Sequence, residues 1–115
     1  MLADELGIPS FGLRELTLQP GMRNRIDRHR EQQKAFLVLR GRLTIVLDDG
    51  ELELGEGEIA AVAPTVRRQL ANRGDEPCIA VAIGAAGTHE VHDGEAFLTW
   101  DDHEPKRPSD VPFPE

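Results

Sequence analysis

Tyrosine is absent from this chain of 115 residues, and a single tryptophan stands beside four phenylalanines. Any core it builds is therefore aliphatic, and one domain is all that this length supports. Cysteine occurs once, at Cys78, which excludes an intramolecular disulfide and a cysteine-rich zinc site. Its place in the apolar run 78–83 predicts a small buried filler, not a reactive thiol. No apolar run approaches the ~20 residues that a membrane helix needs. The start, Met1-Leu2-Ala3-Asp4-Glu5, lacks the basic and apolar regions of a signal peptide, so a cytoplasmic protein is expected. Segments with a helical period, internal repeats and low-complexity tracts are missing as well.

Positive charge is scarce overall, with a formal net charge of −8, but it is unevenly placed. Residues 23–73 hold ten bases against eight acids, whereas residues 74–115 hold two bases against ten acids. An acidic surface repels a phosphate backbone, so no nucleic-acid partner is expected, and no membrane partner either.

What is present is a series of short strand signals. Leu13–Gln19 alternates, with Leu16 and Leu18 on one face and Glu15, Thr17 and Gln19 on the other. Met22–Arg30 is polar and Arg-rich and reads as loop or edge strand. Residues 35–39 and 43–47 are apolar runs on either side of Arg40-Gly41, which reads as a tight hairpin. Asp48-Asp49-Gly50 is a second hairpin signal, and Glu51-Leu52-Glu53-Leu54 alternates after it. Residues 59–63, 66–73 and 77–83 add three more strands. Seven or so short strands separated by turn residues predict an all-β barrel or sandwich. The expected division is a lead-in over 1–12, a barrel over 13–100 with a C-terminal strand or lid, and a proline-rich acidic tail over 101–115, poorly ordered. Phe97, Leu98 and Trp100 are expected to pin that tail to the barrel.

Two stretches carry a motif. In the first, Gly21 is followed by Asp27, His29, Lys34 and Gly41; in the second, Gly57 is followed by Pro64, Arg68 and Asn72. The spacing resembles the paired motifs of the cupin family, in which Gly-x5-His-x-His-x3–4-Glu-x6-Gly is followed by Gly-x5-Pro-x-Gly-x2-His-x3-Asn. The resemblance spans residues 21–72 and implies a small single-domain cupin of the RmlC-like jelly-roll family, a double-stranded β-helix. Transferred residue by residue, the family's four metal-ligand positions fall on Asp27, His29, Lys34 and Arg68. Only His29 matches the expected type. Ala63 stands where the motif has proline, and Thr65 where it has glycine.

Asp27 and His29 can offer lone pairs to a metal, but Lys34 and Arg68 are cations that repel one. A divalent transition metal wants about three or more protein ligands, so no metal cofactor is expected and Asp27 and His29 are only weak candidates. Three readings of the cluster stay open. The charges can pair with one another and fill the site. They can form a pocket for a small anion, with Arg68 forking a carboxylate or phosphate, Lys34 adding charge, and Phe36 and Val38 touching the apolar part. Or Asp27 and His29 can act as an acid–base pair in a metal-free isomerase or epimerase, a chemistry known among cupins. A metal-dependent, dioxygenase-like cupin with a non-standard ligand set is a further enzymatic alternative, and a structural dimeric module a non-catalytic one. His89, His92 and His103 read as solvated tail residues. The arginines at 23, 25, 28 and 30 read as a solvated edge. The strand over Lys34–Arg40 is apolar on both faces and must be covered on both, which predicts a homodimer unless the first strand or the Phe97–Trp100 cluster covers it.

Overall fold

The computed structural model describes residues 12–30, 32–84 and 94–114. Nine strands are described: β1 (Gly12–Leu18), β2 (Ile26–His29), β3 (Lys34–Arg40), β4 (Leu43–Leu47), β5 (Gly50–Leu54), β6 (Ile59–Val62), β7 (Arg68–Ala71), β8 (Cys78–Gly84) and β9 (Gly94–Phe97). They form two antiparallel sheets, the first ordered β1-β8-β3-β6 and the second β5-β4-β7-β2-β9. This two-sheet, all-β arrangement is the jelly roll expected from the motifs.

Alternation explains the interior. Along β8, Cys78, Ala80, Ala82 and Gly84 point inward and are buried, while Ile79, Val81 and Ile83 point outward. They meet Phe36, Val38, Leu43, Ile45, Leu54, Val62 and Leu70 in one aliphatic core. Each fully buried aliphatic side chain there stabilises the fold by roughly 1.5–3 kcal/mol. Because the inward residues of β8 are small, the two sheets leave space between them. Cys78 is buried as expected, and burial pushes its thiol pKa up.

Two local expectations differ from what forms. Gly41 does not close a hairpin: β3 pairs with β6 and β8, whereas β4 pairs with β5 and β7. The chain crosses there from one sheet to the other. Gly41 sits at φ +78°, and a Cβ on it would lie 2.6 Å from the Pro77 carbonyl oxygen. A glycine between two β-prone runs serves a crossing as well as a reversal, and local pattern does not separate the two. The expected hairpin at 48–50 does form, with Leu47 opposite Gly50.

The second difference is β2, which is neither loop nor edge. It lies between β7 and β9, with Asp27 opposite both Arg68 and Ala96. Polar residues sit here because one face borders a polar cavity and the other carries ion pairs such as Arg28–Glu95, 3.1 Å. The approach to β2 is held by Asn24, whose Oδ1 accepts from the Leu70 amide at 2.7 Å.

Asn72, the last residue of the second motif, is 1% exposed. Its Nδ2 donates to the carbonyls of Leu18 at 2.9 Å and Glu76 at 2.7 Å, and its Oδ1 accepts from Gly74 N at 2.9 Å. It ties the end of β1 to the β7–β8 connection.

The composition of 101–115 predicts a loose end, yet the described part of it is anchored. Val111 is 3% exposed, and Ala96 and Lys106 form a β-bridge. Arg67, 8% exposed, reaches the Asp48 carboxylate through Nε at 2.8 Å. It also donates to the carbonyls of Asp102 at 2.9 Å and Trp100 at 3.0 Å, beside the rings of Phe97 and Trp100. Lys106 Nζ donates to Asp102 at 2.6 Å, and with two backbone amides it holds that carboxyl down to about 2. A buried cation with carbonyl acceptors fixes a segment that has few apolar residues of its own. His103 is exposed on this segment, while His89 and His92 lie outside the described residues.

Candidate functional site

Between the sheets lies a cavity of about 70 Å³. The first sheet contributes Arg14 and Leu16 from β1, Lys34 and Phe36 from β3, and Ala82 from β8; the second contributes Asp27 and His29 from β2 and Arg68 and Leu70 from β7, with Asn24 beside them. Five of the six residues singled out from sequence thus meet in one place: Asp27, His29, Lys34, Phe36 and Arg68. Strand parity is the cause, since positions two apart share a face. Val38 is not among them; it is 0% exposed in the core, deeper than the cavity wall. Arg14 and Asn24 were not foreseen. Parity with Leu16 and Leu18 places Arg14 on the inward face, whereas nothing local marks Asn24.

Arg68 dominates the polar wall. It is 2% exposed, and its guanidinium is held from behind by backbone carbonyls. Nε donates to Val66 at 2.8 Å, and Nη2 donates to Ala63 at 2.6 Å and Pro64 at 3.2 Å. The remaining nitrogen, Nη1, is buried and has no hydrogen-bond partner among the described residues. Burial lowers the pKa of Arg68, and the negative charge of Asp27 opposes that shift. A buried donor without an acceptor costs roughly 1–3 kcal/mol, more when charged.

Asp27 lies directly across from Arg68 in the β2–β7 register, yet no described cation comes within 4.0 Å of its carboxylate. Burial pushes its pKa up to about 6, against the opposing pull of Arg68, Lys34, Arg25 and Arg14. Among the described residues, no ion pair of the Asp27 carboxylate is closed. The same donor set does not suit a metal ion. Asp27 and His29 are the cavity's only metal-type side-chain donors among the described residues, and no cluster of three such residues occurs among them. Three cations face the same small space.

A larger cleft of about 320 Å³ lies away from this chemistry, between the second sheet and the C-terminal segment, with Arg23, Arg25, Gln69, Phe97, Trp100 and Phe113 in its walls. Arg25 donates to the Val111 carbonyl and lies 3.8 Å from the centre of the Phe113 ring, so its polar edge is already used.

Two facing sheets with a side-chain cluster in the barrel define a jelly-roll barrel protein. The cupin domain family matches residues 14–84, and the chain belongs to the cupins. No curated protein matches it. Among solved structures it is similar to a sugar phosphate isomerase from a cupin superfamily of Silicibacter pomeroyi, with 26% identity and a TM-score of 0.69 over 98% of this chain and 77% of that one. It is similar in fold to a Bacteroides fragilis cupin, with 22% identity and a TM-score of 0.66 over 77% of this chain and 76% of that one. The cupin domain of an XRE-family transcriptional regulator from Enterobacter cloacae is also similar in fold, with 16% identity and a TM-score of 0.63 over 69% and 84% of the two chains. These relatives differ in function, so the family by itself assigns none.

Proposed function

We propose that this cupin binds a small anion in its barrel, without the metal usual in the family. The observation that carries the reading is Arg68: a buried guanidinium in the cavity wall, braced by three carbonyls, with Nη1 without an acceptor among the described residues. An anion oxygen supplies the missing acceptor in a charge-assisted bond. Arg14 and Lys34 add positive charge from the opposite sheet. The test is an NMR titration of labelled protein with small carboxylates and inorganic oxyanions. Saturable shifts at cavity residues, lost in Arg68→Lys, are expected; a panel that moves none of them refutes the reading. Elemental analysis of the purified protein is expected to give no stoichiometric metal.

A second reading is supported by one observation of its own. A carboxyl with a pKa near 6 beside His29 suits proton transfer at neutral pH, and a sugar phosphate isomerase is among the similar structures. The cavity, about 70 Å³, is small for such a substrate. Solvent-deuterium incorporation into sugar phosphates, abolished in His29→Gln, would favour this reading over simple binding.

The proposal includes a homodimer formed by the outer face of the first sheet. Leu37 lies opposite Ile59 and Val81 there, and Ile59 is 57% exposed. Neither expected cover reaches it. β1 extends the same sheet beside β8, and Phe97 belongs to the second sheet. Cys78, a buried thiol with no need of an oxidising compartment, fits a cytoplasmic place of action.

A further inference from the structure

We infer that the cleft between the second sheet and the C-terminal segment is a second binding site, for a small amphipathic acid with a ring-sized apolar body and one anionic end. It is separate from the barrel cavity and shares no lining residue with it. The cleft exists because the second sheet has two faces to cover. Asp27, His29, Arg68 and Leu70 line the barrel cavity, so alternation sends Ile26 and Gln69 to the outer face, and Phe97 pairs with Ile26 there. All three are buried, with Val111 of the C-terminal segment buried beside them.

That segment is anchored by bonds of its own. Arg25 Nε donates to the Val111 carbonyl, Ala96 and Lys106 form a β-bridge, and Arg67 holds the carbonyls of Trp100 and Asp102. These anchors fix the segment without closing the space, and about 320 Å³ remains between it and the sheet. Small-molecule sites usually span roughly 300–1,000 Å³, and an apolar cavity of about 150 Å³ is enough to hold benzene. One ring with its acid-bearing chain therefore fits.

The chemistry of the walls selects the ligand class. Phe97, Trp100 and Phe113 are three of the five aromatic residues in the chain, which gathers most of its ring surface at this one place. Leu98 and Phe113 remain 55% and 60% exposed, apolar surface that a bound body would cover. Two arginines and no aspartate or glutamate stand among the described lining residues, although the chain carries 21 acids against 13 bases. A cleft of one sign with apolar walls draws in the opposite charge. The two arginines differ in what they already do. Arg25 is bonded to Val111 and lies 3.8 Å from the centre of the Phe113 ring. Arg23 is exposed, and its guanidinium makes no hydrogen bond or ion pair among the described residues. It is the group placed to take the anionic end, while the apolar body lies against the rings.

The test is titration of the full chain with phenylacetate, phenylacetamide, phenethylamine and acetate, read by NMR and by the fluorescence of Trp100. Phenylacetate is expected to shift the signals of residues 97–100, 111 and 113 saturably, and to bind about tenfold more tightly than the uncharged amide. Phenethylamine and acetate should leave those signals in place. Arg23→Gln, a change at an exposed position, should lower the acid to the affinity of the amide and leave the amide unchanged, whereas Arg68→Lys should leave cleft binding intact. Equal affinity for acid and amide, or an Arg23→Gln protein that keeps the preference, overturns the inference. Phenylacetate that shifts barrel residues alone overturns it while the barrel reading stands, and an absence of any shift at the cleft overturns it as well. Cleft signals that move with protein concentration alone would mean that a second copy of the chain fills the space, which also overturns it.

Discussion

Replacing Asp27 by asparagine tests whether burial or pairing governs this carboxyl. The folded group holds its proton up to about pH 6, against an ordinary value of 3.8, with burial the largest cause. Between those values the folded state binds a proton that the unfolded state has released. Stability from this group is therefore full below pH 4 and is lost as pH rises towards 6 and above. The shift of roughly two units corresponds to about 3 kcal/mol at 1.36 kcal/mol per unit. Asparagine resembles the protonated acid in shape and charge, so Asp27→Asn and wild type should be equally stable near pH 4. At pH 8 the variant should be more stable by about 3 kcal/mol, which for a domain of this size is about 10 °C or more in Tm. Guanidinium unfolding from pH 4 to 8, read by Trp100 fluorescence, measures both curves. A variant less stable than wild type at pH 8 would mean that attraction to Arg68 outweighs burial, and the account of the site as open would fail.

Other substitutions probe the frame around the site. Asn72→Ala removes three hydrogen bonds, one buried and two part-buried, from the Leu18 and Glu76 carbonyls and the Gly74 amide; a loss of about 2–4 kcal/mol in chemical denaturation is expected. Arg67→Ala should free the C-terminal segment without unfolding the barrel, seen as a red shift of Trp100 emission and early proteolysis after residue 98, because Arg67 holds Asp48 and the carbonyls of Trp100 and Asp102. Leu37→Asp should convert a dimer to a monomer in sedimentation velocity; a wild-type monomer at micromolar concentration contradicts the proposed interface.

The frame of this fold was legible because its motif positions carry backbone demands. Gly21, Gly41 and Gly57 are the only described residues with positive φ, and all three are motif glycines. Asn72 is legible for the same kind of reason, since its side chain replaces backbone partners in a turn. Period-two alternation then brought Asp27, His29, Lys34, Phe36 and Arg68 together. The failures share a cause as well. Gly41 looks the same to a local pattern whether the chain reverses or changes sheets, because the difference lies in which distant strand accepts its neighbours. Val38 shares a face with Phe36, but depth along the barrel axis is not written in parity. The C-terminal segment is held by Arg67, some 35 residues away in sequence from Asp102, and composition carries no trace of such a clamp. Nor does any local pattern tell how deeply Asp27 is buried, and burial, a property of the assembled sheets, is the largest cause of its raised pKa.

The most direct measurement is a high-resolution crystal structure of the protein grown with acetate. A carboxylate in the barrel is expected, with one oxygen about 2.9 Å from Arg68 Nη1. An Asp27 carboxylate turned onto Nη1, closing the pair and filling the space, would contradict it.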